Sequence, residues 1–153
     1  MFTDLVGSVR MRDRLGDDVA DDIGVEHDRI VNDALASTRG RLVKKLGDGA
    51  LAVFESSVDA VVAGQHIHEA VLFYNRHAED DRQISVRIGI NAGEIAIDNG
   101  DVIGLPVAVA SRVCGKAEGG QLLVTDTVRS RIGRRARFRF LSVGMHTLTG
   151  VDD

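Results

Sequence analysis

The segment from Arg41 to Phe54 constrains this chain more than any other stretch. Two runs, Arg41–Leu46 and Ala50–Phe54, flank Gly47-Asp48-Gly49. Such a turn closes antiparallel hairpins, because glycine accepts the positive φ that a tight loop demands. Before the hairpin, Val19, Ile23, Ile30, Val31, Ala34 and Leu35 recur near helical spacing. They predict one long helix over about 8–38, closed by Arg39-Gly40. After it, Ser56 or Ser57 caps a helix over about 57–78, with an apolar stripe through Val58, Val61, Val62, Ile67 and Val71. Met1–Asp4 in front and Ile84–Ile90 behind read as strands. The order β-α-β-β-α-β predicts an α+β fold, a ferredoxin-like antiparallel sheet with helices on one face.

Additional C-terminal α and β elements follow that core. Gly93–Ile97 starts a strand and Asn99-Gly100-Asp101 turns it. Pro106 opens a short helix, Val107–Cys114, where its missing N–H costs little. Gln121–Thr125 reads as a strand, Asp126–Ile132 as a helix, and Arg137–Val143 with His146–Leu148 as a last β pair. At 153 residues the chain is expected to be one domain, 1–153, with an ordinary core. Only Met1-Phe2-Thr3 precede Asp4, and the chain stops at Asp152-Asp153, so the ends read as trimmed from a larger parent.

The net charge of −4 argues against general nucleic-acid affinity, and the basic run Arg129–Arg139 reads as an exposed helix end and edge strand. The single cysteine, Cys114, rules out an internal disulfide framework and reads as a small packing residue. No apolar run approaches the roughly 18–20 residues that span a bilayer. No membrane insertion is expected in this segment, and the expected compartment is cytoplasmic. His66 and His68 stand two apart on a helix, where a paired zinc site wants four, so they read as helix surface.

Chemistry concentrates on two aspartates. Asp4, in Phe2-Thr3-Asp4-Leu5-Val6-Gly7-Ser8, and Asp48, in Lys44-Lys45-Leu46-Gly47-Asp48-Gly49, each sit where an apolar strand gives way to glycine. If the strands are neighbours, both carboxylates reach one edge of the sheet. Hard divalent cations such as Mg²⁺ take a few carboxylates and complete their shell with phosphate oxygens and water. The amides of Leu5, Val6, Gly7 and Ser8, at a loop entering a helix, form a candidate phosphate cradle. Taken singly, Asp4 reads equally well as a helix cap and Asp48 as a turn residue.

Four motifs in series resemble the class III adenylate/guanylate cyclases: Phe-Thr-Asp-Leu-Val-Gly-Ser, Val-Lys-Lys-Leu-Gly-Asp-Gly, Val86-Arg87-Ile88-Gly89-Ile90-Asn91-Ala92-Gly93, and Gly100-Asp101-Val102-Ile103-Gly104 with Val109-Ala110-Ser111-Arg112. The resemblance runs from Asp4 to Gly150 and implies the nucleotidyl cyclase fold and a signalling enzyme that makes cyclic AMP from ATP. It implies that Asp4 and Asp48 hold two divalent cations, Mg²⁺ or Mn²⁺, with the carbonyl of Leu5 a further candidate ligand. Lys44 and Asp101 fall at the positions that read the purine, and a lysine–aspartate pair there favours adenine. Lysine donates to adenine N1, and aspartate accepts from the exocyclic amine. Arg112 falls at the arginine that meets charge developing on the α-phosphate. The resemblance further implies a head-to-tail homodimer with two shared sites, one chain giving Asp4 and Asp48 and the other Lys44, Asp101 and Arg112.

Three positions depart from the family pattern. Ala108 stands where asparagine is usual, Thr149 where a phosphate-binding lysine is usual, and Ser8-Val9 where the first loop usually ends in a Ser-Thr or Phe-Thr pair. They support a rival reading, a degenerate cyclase-like domain that binds nucleotide or dimerises with little catalysis. A third reading, another two-metal palm-type enzyme, lacks its Gly-Gly-acidic-acidic-Phe hairpin here.

Overall fold

A computed structural model of the chain describes residues 1–133 and 138–150. Among these residues seven strands and five α-helices run in the order β1 (Phe2–Leu5), α1 (Ser8–Leu15), α2 (Asp17–Ser37), β2 (Arg41–Leu46), β3 (Gly49–Val53), α3 (Ser57–His77), β4 (Val86–Ile90), β5 (Ala96–Asp98), β6 (Asp101–Ile103), α4 (Leu105–Lys116), β7 (Leu122–Val124) and α5 (Asp126–Ile132). The main sheet has the order β2-β3-β1-β4-β7, and β5-β6 forms a separate hairpin. Read from β4 to β2, that is the expected ferredoxin-like core.

Strand parity assigns the two faces. Thr3, Leu5, Val86, Ile88, Ala50 and Ala52 point to one side and are buried. Against them pack Ile23, Ile30, Val31, Ala34 and Leu35 of α2, with Ala60, Val61, Ala63, Ile67 and Val71 of α3. Gly64 lets α3 approach closely, since a Cβ there would lie 2.3 Å from Leu122 Cδ1. Ser56 caps α3, its hydroxyl accepting from the Asp59 amide at 3.3 Å.

Four expectations need correction. The single helix over 8–38 is two, broken at Gly16 (φ 84, ψ 168), a backbone state open to glycine alone. Arg12 clamps the break by donating to Asp17 at 3.0 Å and Asp21 at 2.7 Å. Helices cover both faces, because α4 packs on the side opposite α2 and α3. Gly89 makes room for it: a Cβ there would lie 2.1 Å from the Cys114 amide nitrogen. The sheet is not wholly antiparallel, since α4 carries the chain back across the sheet and β7 joins β4 in parallel. The expected β pair at 137–143 and 146–148 is not formed among the described residues, although Phe138 and Phe140 alternate onto the core as a strand would. Arg137, part of the basic run, and the chain end at Asp152-Asp153 lie outside the described residues. No helix among the described residues is long and apolar enough to cross a membrane.

Candidate active site

The sheet brings the two aspartates together. Gly47, with φ 61, and Asp48 form the two-residue loop between β2 and β3, glycine first, as in a type II′ hairpin. Asp4 lies opposite Gly49 in the β1–β3 ladder, and the Leu5 amide donates to the Asp48 carbonyl at 3.0 Å. Glycine at 49 is required by this approach, because a Cβ would fall 2.2 Å from the Thr3 carbonyl oxygen. Asp48 is exposed at the hairpin tip, and Asp4 is half-buried beside it.

Asp4 has a partner on its other side that the sequence reading gave no role. Arg87 of β4 is its direct cross-strand neighbour. Its Nε and Nη2 both donate to Asp4 Oδ2, at 2.8 and 2.6 Å. Strand alternation carried the signal: with Val86, Ile88 and Ile90 turned to the core, Arg87 must face the other side of the sheet. The Arg87 carbonyl accepts weakly from Cys114 Sγ at 3.6 Å. Burial, with Asp4 adding to it, pushes the Cys114 thiol up to about 11, so it stays protonated at neutral pH and packs as a small core residue.

The loop after Asp4 offers fewer free amides than expected. Leu5 and Val6 are engaged, donating to Asp48 and to the Ser85 carbonyl at 3.0 and 2.8 Å. That corrects the four-amide cradle and leaves Gly7, in the left-handed region at φ 74, and Ser8, at the start of α1, as its candidates. The Leu5 carbonyl lies directly after Asp4 at the strand end. The donor set here is hard oxygen throughout, two carboxylates and a backbone carbonyl. Among the described residues no group of three or more His, Cys, Asp and Glu side chains stands at metal-binding distance. That set suits Mg²⁺ or Mn²⁺, which keep several positions for water and substrate phosphate, better than an all-protein cage.

Lys44 and Asp101, the pair that the resemblance sets at the purine, meet on the same side of the sheet. Lys44 shares a face with Leu51, Phe2 and Asp4, whereas Lys45 turns to α2 and pairs with Asp28. Lys44 Nζ pairs with Asp101 Oδ2, linking the main sheet to the β5–β6 hairpin. The hydrogen bond from Lys44, helped by the Val102 amide, holds the Asp101 carboxyl below the usual carboxylate range. Asn99 and Gly100, with φ 48 and 84, make the tight turn that presents Asp101.

Arg112 sits apart. It is exposed on α4, and its Nε donates to the Thr149 carbonyl at 3.1 Å, so the arginine and the position expected to carry lysine are neighbours. Ala108, one turn earlier, is exposed on the same helix face. Among the described residues no hydrogen bond or ion pair joins Arg112 to Asp4 or Asp48. The start of α4 is fixed by Asn91, whose Nδ2 donates to the Pro106 carbonyl at 3.1 Å and whose Oδ1 accepts from Thr125 Oγ1 at 2.7 Å. His66 and His68 engage separate partners, the Ser37 hydroxyl at 3.2 Å and the Val86 carbonyl at 3.1 Å. His68 is half-buried against β4 rather than solvated.

This sheet, with an acidic pair at the β1 and hairpin ends, fits the catalytic domain of the nucleotide cyclases, and known proteins show the same family. Residues 1–153 match the family described as the Adenylate and Guanylate cyclase catalytic domain, and the chain belongs to that family. It is 32% identical over 123 residues to an adenylate cyclase of Streptomyces coelicolor, covering 80% of this chain and 31% of that protein. It is 30% identical over 133 residues to an adenylate cyclase of Streptomyces griseus, covering 87% of this chain and 32% of the relative. A Rhizobium meliloti relative, 32% identical over 114 residues, is covered over only 19% of its length. The chain thus spans a third or less of these three proteins. A crystal structure of an adenylate/guanylate cyclase/hydrolase from Silicibacter pomeroyi superposes with a TM-score of 0.84 at 28% identity, covering 97% of this chain and 86% of that one.

Proposed function

We propose that this domain converts ATP to 3′,5′-cyclic AMP and pyrophosphate. The observation that carries the choice of base is the Lys44–Asp101 pair, which sets a donor beside an acceptor on the face that bears Asp4. Adenine offers the complementary acceptor and donor at N1 and the 6-amino group, and guanine reverses them.

In this reading the ribose 3′-oxygen attacks the α-phosphorus in line. A new O3′–P bond forms, the bond to the bridging oxygen of pyrophosphate breaks, and the hydroxyl proton leaves to water. Asp4 and Asp48 hold two divalent cations, Mg²⁺ or Mn²⁺, with the Leu5 carbonyl completing the protein's share. When bound, those ions supply a lowered hydroxyl pKa and neutralise the leaving pyrophosphate. Gly7 and Ser8 receive phosphate oxygens at the start of α1. Arg112 meets the charge that develops on the α-phosphate, which helps only if it is positioned before the reaction begins.

Among the described residues of one chain Arg112 makes no hydrogen bond or ion pair with Asp4 or Asp48, which supports a site that takes Asp4 and Asp48 from one copy and Lys44, Asp101 and Arg112 from the other. Two copies related by a two-fold axis then form two equivalent sites. Supporting this, Ile97, Ile103 and Leu105, on the β5–β6 hairpin and at the start of α4, are 70%, 51% and 58% exposed. Apolar side chains in that number beside functional residues favour a protein partner.

Purified protein incubated with Mn²⁺ and ATP or GTP, with products separated by chromatography, tests the reading. Cyclic AMP is the expected product, and Asp48→Ala is expected to abolish it while leaving the melting curve intact. A tenth or more of wild-type activity in that variant would remove Asp48 from the metal site. Ala108 and Thr149 favour a second reading, a domain that binds ATP and dimerises without turnover. ATP binding with no cyclic product under any metal would support it.

A further inference from the structure

Building on Asp4 as a metal ligand, we propose that its Oδ2 takes the ion, so that Arg87 is a built-in cation that a divalent ion must displace from that oxygen, and a guanidinium on β4 gates loading of the metal site. Both Nε and Nη2 converge on one oxygen, Oδ2, at 2.8 and 2.6 Å. A carboxylate oxygen has two in-plane acceptor positions, and these two donors occupy them. A cation bound to that oxygen sits about 2.0–2.1 Å away, inside the space the guanidinium fills. The two positive groups repel, and the pair is only partly screened, at 33% and 35% side-chain exposure.

The arrangement is fixed by the fold. Register makes Arg87 the cross-strand neighbour of Asp4, and α4 packs on the adjacent Gly89, so the β4 backbone cannot withdraw. An ion that takes Oδ2 therefore requires the long side chain, a third exposed, to swing instead. In the meantime it neutralises one of two carboxylates that would otherwise repel each other across the β1–β3 edge. Monovalent ions, with half the charge, compete poorly with a two-donor ion pair of this kind. The gate thus favours divalent ions and lowers their affinity for the protein without nucleotide.

The test uses the whole chain without nucleotide and two readouts. The first is the Arg87 Nε–H resonance in a ¹⁵N NMR spectrum, assigned by its loss in Arg87→Lys. Mg²⁺ should shift or broaden it while K⁺ at equal ionic strength leaves it in place. The second is Mn²⁺ affinity by electron paramagnetic resonance, with melting curves confirming the fold. Arg87→Gln should bind Mn²⁺ tenfold or more tightly, and Arg87→Lys, which keeps a charge without the fork, should gain less. An Arg87 resonance unmoved while the Leu5 and Gly49 amides report saturation would overturn the proposal, leaving simple charge repulsion. So would an Arg87→Gln variant that binds Mn²⁺ no more tightly than wild type. Mn²⁺ binding that Asp48→Ala does not weaken would overturn the metal site itself, and the gate with it.

Discussion

Lys44 on β2 and Asp101 at the start of β6 are paired across the junction between the main sheet and the β5–β6 hairpin, although 57 residues separate them in sequence. Neither needs a base to satisfy it, so a purine must insert its edge into an existing ion pair. If the pair reads adenine, changing Lys44 to Glu and Asp101 to Ser should lower ATP turnover relative to GTP turnover. A polar group left unmatched costs about 1–3 kcal/mol when buried and less where water reaches it, as at this half-exposed pair, so the preference should move by about severalfold. Initial rates with each nucleotide measure it. An unchanged ATP:GTP ratio would mean that other groups choose the base.

A mixing experiment addresses the shared site. Asp48→Ala and Arg112→Ala should each be inactive, yet together regain activity, because one site of the heterodimer carries both lesions and the other carries none. With random exchange, half the dimers are mixed and half their sites intact, so recovery should approach about a quarter of wild type. Asp48 serves better than Asp4 here, since Asp4→Ala would strand the Arg87 guanidinium. Mixtures that exchange subunits, shown by a tag on one variant, but stay inactive would place all the machinery in one chain.

Much of this was legible in the chain because short-range rules decide it. Gly47-Asp48 and Asn99-Gly100 announce their turns, the apolar spacing in α2 and α3 is helical, and β1 to β4 come out in the expected order. What escaped depends on contacts distant in sequence. Gly16 reads as a tolerated helix glycine until its φ of 84 splits the helix. Gly89 gives no local hint that α4 needs its missing side chain. The commitment of the Leu5 and Val6 amides follows from strand partners at Asp48 and Ser85, and the Asp4–Arg87 pair from an 83-residue separation closed only by the sheet. Side-chain alternation at Phe138 and Phe140 looked like a strand, but alternation reports burial and not backbone pairing.

Acid should destabilise the fold through His27. It is buried on α2 at 3% exposure, and its Nε2 has no hydrogen-bond partner among the described residues. Burial lowers its pKa below the ordinary 6.5, against the opposing pull of Asp28, Asp48 and Asp4. His68 shifts the same way for the same leading cause. Below about pH 6.5 the unfolded chain therefore holds more protons than the folded one, and stability falls with pH until the folded pKa is passed. One such group changes stability by at most about 1.4 kcal/mol per pH unit. Melting temperatures should drop between pH 7.5 and 5.5, and His27→Leu should flatten part of that slope. Identical slopes in the two proteins would show that His27 does not titrate on unfolding.

The last expectation concerns Ala108. It is exposed one turn before Arg112 on α4, where the family resemblance puts an asparagine that donates near the reacting centre. Alanine has nothing to donate, and Thr149, held against Arg112 through its carbonyl, brings no charge to the triphosphate. One missing preorganised donor costs about 10²–10³ in rate, so the wild-type domain should be slow. Mn²⁺ should serve it better than Mg²⁺ if tighter metal binding offsets the lost phosphate contact. Because the site is open on this face, Ala108→Asn meets no packing obstacle within the chain. It should raise kcat more than it changes KM, the sign of an interaction made in the transition state. Steady-state rates for the two proteins decide the matter. If Ala108→Asn leaves kcat unchanged or lowers it, a water or another side chain already fills the role.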